Sequence, residues 1–169
     1  MKKIYFLFGF GSLLLSGCFK EAPGVDFSTV GTIIEIIPPF GGLENFGNAG
    51  LVFPAGDLYD SEQVVVNIAA PKPLSVPLTV TLGINDSALS AYNAANGTSY
   101  IALPDSVYSF PVTSVTIPAG EHLDTLTVYF YPSKIDSTQS YMLPVGISTA
   151  QGKTISGNFS IIYFHFDPQ

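Results

Sequence analysis

"LTVTLGI", residues 78–84, alternates apolar with small or polar side chains at every step. A chain that repeats every two residues puts Leu78, Val80, Leu82 and Ile84 on one face and Thr79, Thr81 and Gly83 on the other. The segment therefore reads as a strand with one side on a core. "LDTLTVYFY", residues 123–131, repeats the pattern, with Leu126, Val128 and Phe130 inward and Thr125, Thr127, Tyr129 and Tyr131 outward. Outward from these two runs, further strands are expected at 32–37, 51–53, 63–69, 106–110, 114–117, 141–149 and 159–166. Short strands at roughly ten-residue spacing, parted by Pro and Gly turns, argue for an all-β, two-sheet antiparallel β-sandwich. The crossover helices that a parallel α/β fold requires are missing from the pattern.

One short helix, at about 86–96, is expected. Asn85, Asp86 and Ser87 offer capping side chains, Leu89 and Tyr92 lie three apart on one face, and Gly97 suits the left-handed position that ends a helix. It is expected to cross one end of the sandwich and close the core there. Tyr92 and Tyr100 read as packing rings, with Asn93 or Asn96 satisfying their polar ends.

The N-terminus carries a different signal. Lys2 and Lys3 precede an apolar run from 4 to 15, which has the length of a signal-peptide core and is too short to span a bilayer. It ends in Leu15-Ser16-Gly17-Cys18, which resembles the bacterial lipobox, and Cys18 is the only cysteine. The expected organisation is a lipoprotein signal peptide at 1–17, a lipidated tether at 18–28 and one domain at 29–169. The chain would then be held to a membrane through its N-terminal lipid, as an outer-membrane lipoprotein of the cell envelope. Surface display stays open, because residues 19–22 (FKEA) hold one acidic side chain.

The net charge of −7 becomes −9 once Lys2 and Lys3 are removed, and the chain has no arginine. Four remaining lysines cannot assemble a phosphate-binding patch, so nucleic acid is excluded as a partner. His122 and His165 lack a matching nucleophile and acid, and no phosphate cradle or paired metal-ligand motif occurs. Neither catalysis, cofactor nor metal is expected, although Asp57, Asp60 and Glu62 leave calcium binding open.

Three segments, "VTLGINDSALSAYNAANGTSYIALPDSVYSF", "VTIPAGEHLDTLTVYF" and "YMLPVGIS", resemble a Bacteroidetes family known as a domain of unknown function. The family occurs in surface lipoproteins of glycan-utilisation loci, often ahead of a carbohydrate-binding or glycosidase module. The resemblance spans roughly residues 28–150. It implies an immunoglobulin-like sandwich and a glycan context, and it supplies no catalytic residues. The chain ends at Gln169 without a second module, so binding is expected on this domain or on a partner protein.

Ligand contacts are expected from Tyr129 and Tyr131 with Thr125 and Thr127, where rings can stack on sugar faces and hydroxyls can hydrogen-bond. The loop at 38–50 adds Phe40, Asn45 and Phe46. Ser87, Ser106, Thr125 and Ser137 each follow an aspartate, a pattern resembling the O-glycosylation acceptor of exported Bacteroidetes proteins. The function expected is non-catalytic glycan binding or scaffolding in a polysaccharide-utilisation system. The alternative is a structural or adhesion subunit that binds another envelope protein through its C-terminal strand, which is apolar on both faces. Intact mass of the protein from its native membrane should show loss of residues 1–17, a lipid on Cys18 and sugar increments at the four hydroxyls. An unlipidated, full-length mass would overturn the anchor.

Overall fold

The computed structural model describes residues 31–37, 48–50 and 58–167, with only the backbone of 48–50. Eleven strands appear among them: β1 (Ile33–Ile37), β2 (Asn48–Gly50), β3 (Asp60–Ala69), β4 (Leu78–Ile84), β5 (Ile101–Ala102), β6 (Tyr108–Ser109), β7 (Ser114–Ile117), β8 (Leu123–Phe130), β9 (Tyr141–Thr149), β10 (Thr154–Ile155) and β11 (Ile161–Phe166). The first sheet runs β10-β1-β3-β8-β6 and the second β2-β11-β9-β4-β7, with β5 added beside β9. The architecture is the all-β two-sheet sandwich that the alternation predicts.

The core is the inward half of each alternation. Val64, Val66, Ile68, Leu126, Val128 and Phe130 from one sheet meet Leu78, Val80, Leu82, Leu143, Val145, Ile162 and Phe164 from the other. Phe130 sits edge-on to Phe164 and Phe166, with centroids 5.5 and 5.4 Å apart. Among the described residues no polar or charged side chain is buried.

The antiparallel expectation holds for the long strands and fails at the margins. β10 pairs with β1, β2 with β11 and β5 with β9, all in parallel. These pieces are two or three residues long, and each is drawn in by an edge that another part of the chain leaves open. Residues 48–50, expected as loop, thus become β2, while the expected strand at 51–53 lies outside the described residues. The expected strand at 106–110 is instead a 3₁₀ turn over Asp105–Val107 and the two-residue β6. Pro104 ahead of it and Pro111 behind confine the extended backbone.

Helix α1 (Asp86–Asn96) starts and stops as its sequence demands. The Asn85 side chain accepts from the Ala88 N–H, and Gly97 ends the helix at φ 65° with its N–H on the Asn93 carbonyl. Its placement differs from expectation. It covers the outer face of the second sheet over β9, and does not plug one end of the sandwich. The six residues 141–146 are consequently all buried, Tyr141, Leu143 and Val145 in the core and Met142, Pro144 and Gly146 facing outward. Ala88 and Leu89 are buried outside the inter-sheet core cluster. A Cβ on Gly146 would stand 3.1 Å from the Ile161 side chain, so only glycine lets β11 approach here without adjustment.

The C-terminal strand is apolar on both faces for the same reason. Ile162, Phe164 and Phe166 enter the core, and the outward Tyr163 ring packs 4.9 Å from Tyr92 of α1. β9 and β2 occupy its two edges. On the outward side, Tyr92 and Tyr100 give partial cover to Tyr163 and His165, which stay half-buried. Phe164→Ala should cost about 3–5 kcal/mol of stability, read as a lower urea midpoint at unchanged slope. A loss under about 1 kcal/mol would mean that the two sheets do not close on this ring.

Candidate functional site

The outer face of the first sheet is built by register. On β8, Thr125, Thr127 and Tyr129 face away from the core, opposite Val65, Gln63 and Ser61 of β3. Ser109 of β6 flanks Tyr129 on the other side. Tyr59, two residues before Ser61, is 60% exposed, and its ring lies 6.0 Å from that of Tyr129 at 34°. Two tilted rings thus stand at one end of a row of hydroxyl and amide groups. Tyr59 was not legible as a partner because only the β3–β8 register brings it beside Tyr129.

Tyr131 departs from expectation. The strand ends at Phe130, and Tyr131 begins a 3₁₀ turn in which the Lys134 ammonium lies 4.6 Å above its ring. That contact occupies one π-face of the ring. Phe40, Asn45 and Phe46 lie outside the described residues, as does Asp57. Asp60 and Glu62 share one side of β3, and the Glu62 carboxyl is pushed up by burial and then by the Asp60 charge. Among the described residues no three metal-binding side chains come together.

The aspartate–hydroxyl pairs are all surface features. Ser87, Ser106, Thr125 and Ser137 are exposed, the first in α1, the second in the 3₁₀ turn and the third on β8. Their aspartates have local work: Asp124 accepts from the Thr125 N–H, and Asp136 accepts from both the N–H and the hydroxyl of Thr138. The Thr138 bonds, side chain first and backbone second, hold the Asp136 carboxyl below its ordinary range.

The helix and the chain returning from it form a second constellation, over the outer face of the second sheet. Asn93 is its clamp: its amide donates to the Tyr100 carbonyl, while its oxygen accepts from the Thr98 hydroxyl and the Tyr100 N–H. Tyr92 lies between Tyr163 and Tyr100, and Tyr100 sits 5.6 Å from His165. The Tyr100 hydroxyl donates to Asp167 at 2.9 Å, and His165 Nδ1 lies 3.0 Å from the other Asp167 oxygen. These rings pack and orient the returning chain, as expected for Tyr92 and Tyr100. The polar ends differ from expectation, since Tyr100 is satisfied by Asp167.

A cleft of about 410 Å³ opens where β4 and β5 part on β9. The Leu103 N–H bonds the Met142 carbonyl and the Asn85 N–H bonds the Pro144 carbonyl. A strand residue's N–H and C=O point the same way, so Pro144 turns its nitrogen into the gap between these two contacts. Because proline has no N–H, the gap strands no donor. Ile84, Ala102, Pro104 and Leu143 form apolar walls, and Asp86, Asp105 and Tyr108 supply the polar ones. The Tyr108 hydroxyl donates to Asp105 at 2.8 Å.

Residues 40–154 match a family model described as a "-like, N-terminal domain". Among curated proteins none matches this sequence. Solved structures share the fold. A Bacteroides ovatus protein provisionally described as carbohydrate binding is 18% identical at a TM-score of 0.66, over 80% of this chain and 37% of that one. A multidomain Bacteroides ovatus protein that includes DUF1735 is 17% identical at 0.64, over 80% and 45%. EndoBT-3987 of Bacteroides thetaiotaomicron, solved with a Man5GlcNAc product, is 16% identical at 0.55, over 72% and 28%. The chain therefore spans less than half the length of each of these three structures.

Tyr100 and Tyr108 should ionise late. Burial, the hydrogen bond to Asp167 and nearby charge raise Tyr100 to about 12; burial, the Asp105 bond and the Asp105 and Asp86 charges do the same for Tyr108. Unfolding restores both to about 10, so their contribution is whole below pH 10 and is lost as pH rises toward 12. Alkaline unfolding curves should fall across that window, and less so in Tyr108→Phe. Stability independent of pH up to 12 would contradict both hydrogen bonds.

Proposed function

The chain belongs to this family of N-terminal domains, and from that membership we propose that it is a non-catalytic module that binds glycan on the outer face of its first sheet. The observation that carries the reading is the Tyr59–Tyr129 pair, set beside Gln63, Thr125 and Thr127. Aromatic rings offer a flat apolar surface to the C–H face of a sugar, and neighbouring hydroxyl and amide groups exchange hydrogen bonds with its hydroxyls. Such a row binds without moving protons. The acidic, arginine-free chain suits a neutral polysaccharide better than an anionic one. Support from outside the chain is the carbohydrate binding provisionally ascribed to one Bacteroides neighbour and the glycan product held by another.

The same proposal places the module at the cell envelope, tethered through a lipid on Cys18, as Leu15-Ser16-Gly17-Cys18 and the apolar run ahead of it suggest. There it would hold polysaccharide near an uptake or degradation system. The test is affinity electrophoresis against neutral plant, host and microbial polysaccharides. One glycan should retard the protein, and Tyr59→Ala with Tyr129→Ala should abolish the retardation, each ring contributing about 1 kcal/mol or about fivefold in affinity. Free migration in every gel, or equal retardation of the double variant, would overturn the reading.

A further inference from the structure

The outer face of the first sheet continues well past the tyrosine pair. From Tyr129 the outward series of β8 runs through Thr127 and Thr125 to Leu123, and that of β3 runs beside it from Ser61 to Asn67. At about 3.4 Å per residue, the stretch from Tyr129 to Leu123 is about 20 Å long. Ser61, Gln63, Thr125 and Leu123 are exposed, so the row is accessible along this length.

At its far end a second set of groups repeats the chemistry of the first. Asn67 lies opposite Leu123 on one side and opposite Glu35 of β1 on the other. The Asn67 amide donates to Glu35 Oε1 at 2.7 Å. That bond orients both side chains before a ligand arrives, so less rotamer freedom is lost on binding. Among the described residues it leaves Glu35 Oε2 and Asn67 Oδ1 as acceptors, and the second amide hydrogen of Asn67 as a donor. Such a set matches two neighbouring hydroxyls, each of which donates one hydrogen bond and can accept another. Leu123, exposed beside Asn67, supplies the apolar contact that the rings supply at the other end.

We propose that the glycan on this face is a linear chain of several sugars, laid along β3 and β8 and held at two subsites. One is the Tyr59–Tyr129 pair, and the other is Glu35, Asn67 and Leu123. This inference rests on the glycan reading above and adds the length and course of the ligand. A disaccharide is too short to reach both subsites, so the second adds affinity only for longer chains. On such a chain the second contact forms at the effective concentration that the first one sets. On the outward series of β1, β3 and β8, Glu35 is the sole carboxylate and no lysine occurs. A chain bearing carboxylates would gain no ion pair there and would meet repulsion at Glu35, so the preferred chain is neutral.

Three neutral ladders test the two subsites: glucose to cellohexaose, glucose to maltohexaose and mannose to mannohexaose. Each is titrated into the isotopically labelled protein, and backbone amide shifts are followed by NMR. At least one hexasaccharide should shift Tyr129 and Asn67 together and bind at least about tenfold more tightly than its disaccharide. Glu35→Ala with Asn67→Ala should weaken the hexasaccharide several-fold and leave the disaccharide unchanged, the rest of the spectrum reporting a folded variant. Tyr59→Ala with Tyr129→Ala should weaken both. A disaccharide that binds as tightly as its hexasaccharide would overturn the inference and leave the tyrosine platform standing. So would a hexasaccharide that shifts Tyr129 but not Asn67, or one that binds the Glu35, Asn67 double variant undiminished. No shift at Tyr129 with any hexasaccharide would overturn the platform and the inference together.

Discussion

Double-sided burial of one strand governs the rest of the molecule. β9 carries Leu143 and Val145 into the core and Met142 and Pro144 to the opposite side, and neither side can face water without cost. Burying an apolar side chain is favourable by roughly 1.5–3 kcal/mol, so leaving the outer side of β9 open would forfeit several such terms. α1 exists to cover it. The helix is itself only weakly amphipathic and short enough to be marginal alone. It persists because Asn85, Asn93 and Gly97 terminate it and because Tyr92 finds Tyr163 beneath it.

From that constraint the aromatic distribution follows. Tyr92 of α1, Tyr100 behind it and Tyr163 of β11 are the seam between helix and strand. Tyr59 and Tyr129 belong to the outer side of the first sheet, away from α1. Tyr59 is exposed and pairs with Tyr129 there, so the same residue type packs under the helix on one side of the sandwich and meets solvent on the other. The two roles cannot be told apart by composition. They differ only in whether a helix lies across the sheet.

Much of the fold was legible because it is local. The bounds of β4 and β7 fall where the alternation begins and ends, and the caps of α1 stand in its flanking residues. What was not legible depends on partners distant in sequence. β2, β5 and β10 are too short to carry a period, and each is defined by the strand edge it meets. The seating of α1 was written in residues 141–146, apolar at both parities, a pattern that calls for cover on both faces of a strand. On the candidate site, Tyr129 was legible from alternation and Tyr59 was not. The expected strand runs one residue too far, to Tyr131, because Pro132 turns the chain there.

The place of β11 in the second sheet has a consequence for how the molecule is made. It is the last of the described strands, yet it lies inside its sheet, between β2 and β9, and delivers Phe164 and Phe166 to the core. Contacts of such separation, Asn48 with Tyr163 and Ile33 with Thr154, require the longest loops to close before they return any stability. A nascent chain that has emerged as far as β9 therefore holds half of each aromatic contact and an open strand edge. The domain can therefore close only once β11 has been made, and the chain short of it is the form that chaperones would meet.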